Sequence, residues 1–255
     1  MNIIIRRMTL SLLILSSLAN LNGAVEKWLI IGGGRGAGWE LAHTIAAKKD
    51  HSCTVFARSK AKTDPKFAEF DKKPTVVEGD VTTDVASLTK QAQGASFIVL
   101  AQTFPYNVWE KSIKAMVDNT LAVAQKTGAT LIYLARPYQY GNQRLITEQT
   151  TPQPNSHQGK VLNKIEMQIE DAANAGFVKS RIVCHSFPFG PNIGDGLLSK
   201  NFAGIIKNKK RSWLQSKQKF EWVGSSGRVA MQLTYTPDLA NFIYQYAHDK
   251  RIKDL

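Results

Sequence analysis

Five glycines fall within seven residues, 32–38 (Gly-Gly-Gly-Arg-Gly-Ala-Gly), directly after the apolar run 28–31 and directly before a helix-forming stretch, 39–49. A strand, a glycine turn and a helix in that order aim backbone N–H groups and a helix N-terminus at one anion, the arrangement that cradles a pyrophosphate. Glycine is needed where such a turn takes φ > 0 and where a Cβ would hold the backbone away from the phosphate. The expected contacts are Gly32, Gly33, Arg35, Gly36, Ala37 and Gly38; the alternative is a glycine-rich turn without a ligand. At the end of the next apolar run stand Arg58 and Ser59. An acidic residue there would bind ribose hydroxyls, whereas a guanidinium and a hydroxyl suit a 2′-phosphate, with Arg35 placed to reach the same group. The cofactor expected is therefore NADP, with NAD as the alternative. Asp80 is placed either to accept from an adenine amino group, with Val81 packed on the ring, or to cap the following helix. Ala101 and Gln102 close another apolar run where the chain would pass beside the cofactor ribose.

Positioning these residues takes alternating elements. Short apolar runs predict strands at 28–31, 53–57, 75–78, 96–101, 130–134 and 180–184, and helices are predicted over 84–93, 108–126 and 160–175. In the last of these Val161, Leu162, Ile165 and Ile169 follow the i, i+3/i+4 rhythm of one buried face. Gly94, Gly128 and Gly176 fall where helix C-caps belong. Strands alternating with helices predict an α/β fold, a doubly wound parallel sheet (Rossmann fold) with a small C-terminal substrate lobe. The expected division is 1–24 as an export signal, 25–178 as the nucleotide-binding core, and 179–255 as the last core strand and substrate lobe. The polar loop 148–158, with two prolines, is expected over the C-terminal edge of the sheet.

The 255 residues suffice for one large domain with a full core. Arg6 and Arg7 precede an apolar stretch, 8–19, with small residues at 17–19. That reads as an export signal, shorter than a bilayer span. It implies an exported or periplasmic protein if cleaved, with no stable membrane span afterwards, and a cytoplasmic one otherwise. The formal charge of +13 favours anionic small-molecule ligands. Its one dense run, 207–211, lacks an aromatic ladder or zinc pattern and reads as a solvated face, so no nucleic-acid partner is expected. The two cysteines, Cys53 and Cys184, suggest neither a disulfide scaffold nor a metal site, and both are expected to pack inside strands. No metal ligand is assigned. A homo-oligomer remains open.

Further segments, in order, are residues 79–84 (Gly-Asp-Val-Thr-Thr-Asp), 138–141 (Tyr-Gln-Tyr-Gly), 146–152 (Ile-Thr-Glu-Gln-Thr-Thr-Pro), 187–191 (Phe-Pro-Phe-Gly-Pro) and 233–240 (Leu-Thr-Tyr-Thr-Pro-Asp-Leu-Ala). Together with the glycine turn they resemble the extended and atypical short-chain dehydrogenase/reductase superfamily, of the NAD-dependent epimerase/dehydratase kind. The resemblance implies a nicotinamide cofactor and an oxidoreductase or epimerase/dehydratase acting on a small carbonyl or sugar-like substrate. It also implies a Ser/Thr, a Tyr and a Lys four residues later that move the proton as hydride transfers. Here the chain departs. Its glycines follow Gly-x-x-x-Gly-x-Gly spacing rather than Gly-x-x-Gly-x-x-Gly. Ala135 and Arg136 stand where the Ser pair belongs, Gln158 at the Tyr position and Leu162 at the Lys position. A surviving reaction needs a non-standard acid, for which Tyr138, Tyr106, Lys160 and His157 are the candidates. The alternative is a nucleotide-binding protein without turnover, serving structure or redox sensing. By the same resemblance, which implies further strand and helix after 238–247, the substrate lobe is expected to be minimal or incomplete.

Overall fold

Strand β1, Glu26–Ile31, is sealed from water on both faces from Trp28 onward. Such continuous burial belongs to a central strand of a parallel sheet covered on both sides, and the computed structural model puts it there. The structure describes residues 25–105, 108–193 and 232–252; the predicted export signal (1–24), Tyr106 and the basic run 207–211 lie outside them.

The strands β2 (His51–Ala57), β3 (Thr75–Glu78), β4 (Phe97–Leu100), β5 (Thr130–Ala135) and β6 (Ser180–Cys184) complete a six-stranded sheet of order β3-β2-β1-β4-β5-β6, every pair parallel. Between them run helices α1 (Gly36–Ala46), α2 (Lys60–Thr63), α3 (Val85–Ala92), α4 (Trp109–Thr127) and α5 (His157–Asn174). The fold is a Rossmann α/β fold, as the alternation predicted.

The period of two along each strand divides the core. Leu29, Ile31, Ile98, Leu100, Leu131 and Tyr133 face α3, α4 and α5, where Leu88, Met116, Val117, Leu162 and Ile169 meet them. Trp28, Ile30, Val55, Val99, Ile132 and Val183 face the other way, onto Leu41 and Ile45 of α1. That second face is also covered by the last helix, α6 (Thr236–His248), through Leu239, Ala240, Ile243 and Ala247. The closing helix is thus a layer of the Rossmann core. It follows a small parallel sheet in which β7, Phe187–Phe189, pairs with β8, Leu233–Tyr235.

Several local readings differ from expectation. Helix α1 begins at Gly36, because the glycines of the turn themselves enter the helix, and α5 begins at His157, where Ser156 caps it by accepting from the Gly159 N–H at 3.1 Å. Cys53 is buried, but Cys184 is exposed, since it closes β6 where the strand leaves the sheet. Gly94, Gly128 and Gly176 all take φ near +70°, as helix-ending residues do.

Candidate nucleotide site at the switch point of the sheet

The strand order reverses between β1 and β4, so their C-terminal ends flank the crevice in which open α/β sheets bind ligands. Ile31 lies in register with Phe56 on one side and Leu100 on the other. Just beyond, the Gly32 N–H donates to the Phe56 carbonyl at 3.2 Å and the Ala101 N–H to the Ile31 carbonyl at 2.9 Å. The glycines here serve two purposes. At Gly32, φ is +90° and a Cβ would lie 2.5 Å from Gln102 Cα; at Gly38 it would lie 2.8 Å from the Gly32 carbonyl oxygen and 2.9 Å from Ala101 Cβ. Those two let β1, β4 and α1 close on one another. Gly36, at φ +52°, has only Ile193 Cγ1 nearby, at 3.8 Å. Its N–H donates to the Asn192 carbonyl at 3.0 Å, so the chain after β7 reaches across to the first amide of α1. Ala37 is half-buried behind it and Gly33 packs on Val55. Across the crevice the Gln102 Nε2 is buried with no partner among the described residues. The unused amide donor at Gln102 and the N-terminus of α1, whose first amide is held by the Asn192 carbonyl, are the groups a dinucleotide would meet here.

Cations collect on the β2 side. Arg35 precedes α1 in extended conformation and is exposed. Arg58 is exposed beyond β2, its guanidinium 5.8 Å from the Phe104 ring centre. Lys66, in the 3-10 turn Asp64–Phe67, donates to the Gly34 carbonyl at 2.7 Å. Burial first, and then the nearby Arg35 charge, hold its ammonium pKa below the usual range. Lys66 was missed by sequence reasoning because only folding brings it back to the glycine turn. Ser59 uses its hydroxyl locally, capping α2 by accepting from the Lys62 N–H at 3.4 Å.

At the end of β3, the Asp80 carboxylate accepts from the Thr82 N–H and hydroxyl at 2.8 and 2.7 Å, while the Asp84 carboxylate accepts from the Asp80 N–H. Asp80 therefore shapes its own turn. Val81, expected on a ring face, is instead 1% exposed and packs in the core, its carbonyl held by Asn119 of α4 at 2.9 Å. A short turn between β3 and α3 needs that apolar anchor more than an open side chain.

Beyond β5 lies the second half of the crevice. Ala135 is fully buried, and residues Pro137–Tyr140 form a 3-10 turn on the N-terminus of α5. A Cβ on Gly159 would lie 2.4 Å from the Tyr138 carbonyl oxygen, so glycine permits that contact. Tyr138 is half-buried against the core, whereas Lys160 is exposed. His157 is also exposed and pairs with Glu110 of α4 at 2.9 Å. Leu162 sits in the core and carries no proton chemistry.

The strongest electrostatic feature of this region was also missed. Gln139 Nε2 donates to both oxygens of the buried Glu166 carboxyl, at 2.8 and 2.7 Å. Burial, with Glu170 nearby adding to it, pushes the Glu166 pKa up to about 8, against the lowering effect of Gln139. Glu166 is therefore largely protonated at neutral pH. Next to it, burial raises the Tyr140 phenol, and Glu166 raises it further. His185 is pushed down to about 4 by burial and by Arg136, so its ring is neutral. The polar periodicity of α5 offered no signal for a buried Glu; only its partner on another element accounts for it.

No protein-family model matches the chain, and no curated protein matches it by sequence. Solved structures do. Similar ones include the dTDP-glucose 4,6-dehydratase of Bacillus anthracis in complex with NAD (TM-score 0.74, 14% identity, covering 90% of this chain and 74% of that one). The chain shares with this enzyme a Rossmann α/β fold. The UDP-N-acetylglucosamine 4-epimerase of Methanobrevibacter ruminantium is also similar (TM-score 0.72, 10% identity, covering 89% and 74%). A UDP-Glc/GlcNAc 4-epimerase of Campylobacter jejuni, at 18% identity and TM-score 0.54, matches over 65% of this chain, which spans 54% of that enzyme's length. Among the described residues no helix is long and apolar enough to cross a membrane.

Proposed function

We propose that this epimerase/dehydratase-fold chain binds NADP in the crevice between β1 and β4 and acts on a small carbonyl or sugar-like substrate. The observation that carries this reading is the glycine turn at the switch point, faced by the unused Gln102 amide and flanked by Arg35, Arg58 and Lys66. Gly36, Ala37 and the start of α1 would hold the pyrophosphate, and Gly32, Gly33 and Gly38 let the strands and helix close behind it. Ala101 and Gln102 would border the ribose. Arg35 and Arg58 would take the 2′-phosphate with Lys66 beside them, and Ser59 and Asp80 would shape the loops around it through their own turns. A bound nicotinamide supplies or accepts hydride. The chain's own part is to orient the substrate and move one proton, and Tyr138, half-buried at the exit of β5, is the donor this reading favours over Lys160. Tyr106 lies outside the described residues.

Fluorescence titration with NADPH and NADH tests the cofactor. Arg58→Asp is expected to weaken NADPH at least about tenfold more than NADH, the loss of one charge-assisted contact; equal losses would remove Arg58 from the site. A specific observation also favours binding without turnover: the Lys position holds the core residue Leu162. Hydride-transfer assays on carbonyl and sugar-nucleotide substrates separate the two readings, since tight NADPH binding with no transfer leaves only the second. Export and oligomeric state are read from the mass of the native N-terminus and from light scattering.

A further inference from the structure

At the N-terminal end of the strands, opposite the crevice, three side chains from three elements converge. Glu26 opens β1, His51 opens β2 beside it in register, and His248 ends α6. His51 Nε2 lies 3.1 Å from Glu26 Oε1, and His248 Nε2 lies 3.0 and 3.1 Å from the two Glu26 oxygens. One ligand atom from each of the three fits within 4.8 Å of the others. We propose that Glu26, His51 and His248 bind a divalent transition-metal ion of the Zn²⁺ class.

The hydrogen bonds orient the ligand atoms. His248 Nδ1 lies 2.7 Å from the Tyr244 carbonyl oxygen. A carbonyl only accepts, so Nδ1 is the donor in that contact and Nε2 is the nitrogen turned toward the Glu26 carboxylate. An imidazole whose other nitrogen donates to a carbonyl is also the usual outer-shell arrangement of a ligating histidine. The remaining ligands are held differently. The Trp28 indole N–H donates to Glu26 Oε1, and the Tyr244 hydroxyl lies 3.3 Å from His51 Nε2. His51 Nδ1 is buried without a partner among the described residues, so the polar contacts of that ring lie at Nε2.

Aromatic rings pack near His248: Trp28 at 6.0 Å from its ring centre, Phe97 at 5.8 Å and Tyr244 at 4.5 Å. His248 itself is exposed, while Glu26 and His51 are half-buried. Zinc–ligand bonds of about 2.0–2.1 Å put tetrahedral ligand atoms roughly 3.4 Å apart, close to the two Glu26–His distances. Two imidazoles and a carboxylate suit Zn²⁺ and its neighbours rather than Ca²⁺ or Mg²⁺. The helix C-terminus beside His248 adds favourable negative potential. Three protein ligands leave a fourth position to water. Such an ion would tie the end of α6 to the start of β1 and β2, away from the nucleotide crevice.

The test is calorimetric titration of the full chain with Zn²⁺, paralleled by Co²⁺ absorption, which reports tetrahedral coordination. One ion per chain is expected, with a higher thermal midpoint when it is bound. Both Glu26→Gln and His248→Ala are expected to weaken binding at least about tenfold and to abolish the rise in midpoint. His248 is partly exposed at a helix end, and circular dichroism of each variant confirms that it folds. NADPH affinity is expected to be unchanged in both. Absence of Zn²⁺ binding by the wild-type chain, or wild-type affinity in the two variants, overturns the site.

Discussion

Between about pH 6.5 and about 8 the protein is expected to lose roughly 2 kcal/mol of stability as the pH rises, and Glu166→Gln is expected to abolish that loss. Glu166 titrates near 8 in the folded chain against an ordinary value of 4.5. In this interval the native state keeps a proton that the unfolded chain has released, so stability falls with rising pH. Below 4.5 both states are protonated and the group contributes no slope. His185 has the opposite sign: at about 4 when folded and 6.5 ordinarily, it makes stability climb with pH until 6.5 and then stop. The two offset each other at lower pH, leaving Glu166 as the main influence between 6.5 and about 8, with the buried Cys53 and Cys184 thiols, pushed up to about 12, adding the same sign only at higher pH. A glutamine keeps the neutral shape and still meets the Gln139 amide. Urea denaturation across the pH series decides the matter, and a variant whose slope matches the wild type refutes the assignment.

Gly32→Ala is expected to cost more than about 3 kcal/mol, or to leave no folded protein, while Gly128→Ala costs roughly 1 kcal/mol. Both residues have positive φ, +90° and +72°. They differ in space. Nothing lies within 4 Å of a Cβ at Gly128, whereas at Gly32 it would strike the Gln102 backbone at 2.5 Å, which cannot step aside as a flexible side chain would. Paired denaturation curves measure the difference; equal losses would mean that conformational strain alone matters at Gly32 and that the β1–β4 approach is looser than described.

The fold was legible because parallel strands buried on both faces leave continuous apolar runs, as in Trp28, Leu29, Ile30 and Ile31, and because glycines such as Gly128 mark helix ends. The glycine turn could be placed for the same reason. What escaped were features made only by tertiary contact. Lys66 returns to Gly34, Gln139 covers Glu166, and Glu26 meets His248 across 222 residues of chain. Val81 and Cys184 show the reverse failure, in which local composition suggested an environment that the ends of β3 and β6 do not provide.

The bond from the Gly36 N–H to the Asn192 carbonyl gives the crevice an internal rival. A phosphate that claims this amide must first evict a seated carbonyl, so its affinity reflects a swap of partners rather than capture of an idle donor. A charge-assisted bond outcompetes a neutral one by a modest margin. If the proposed nucleotide binds here, its occupancy and the path of the chain after β7 would be one equilibrium, and a change at position 192 would retune the binding constant without touching the ligand.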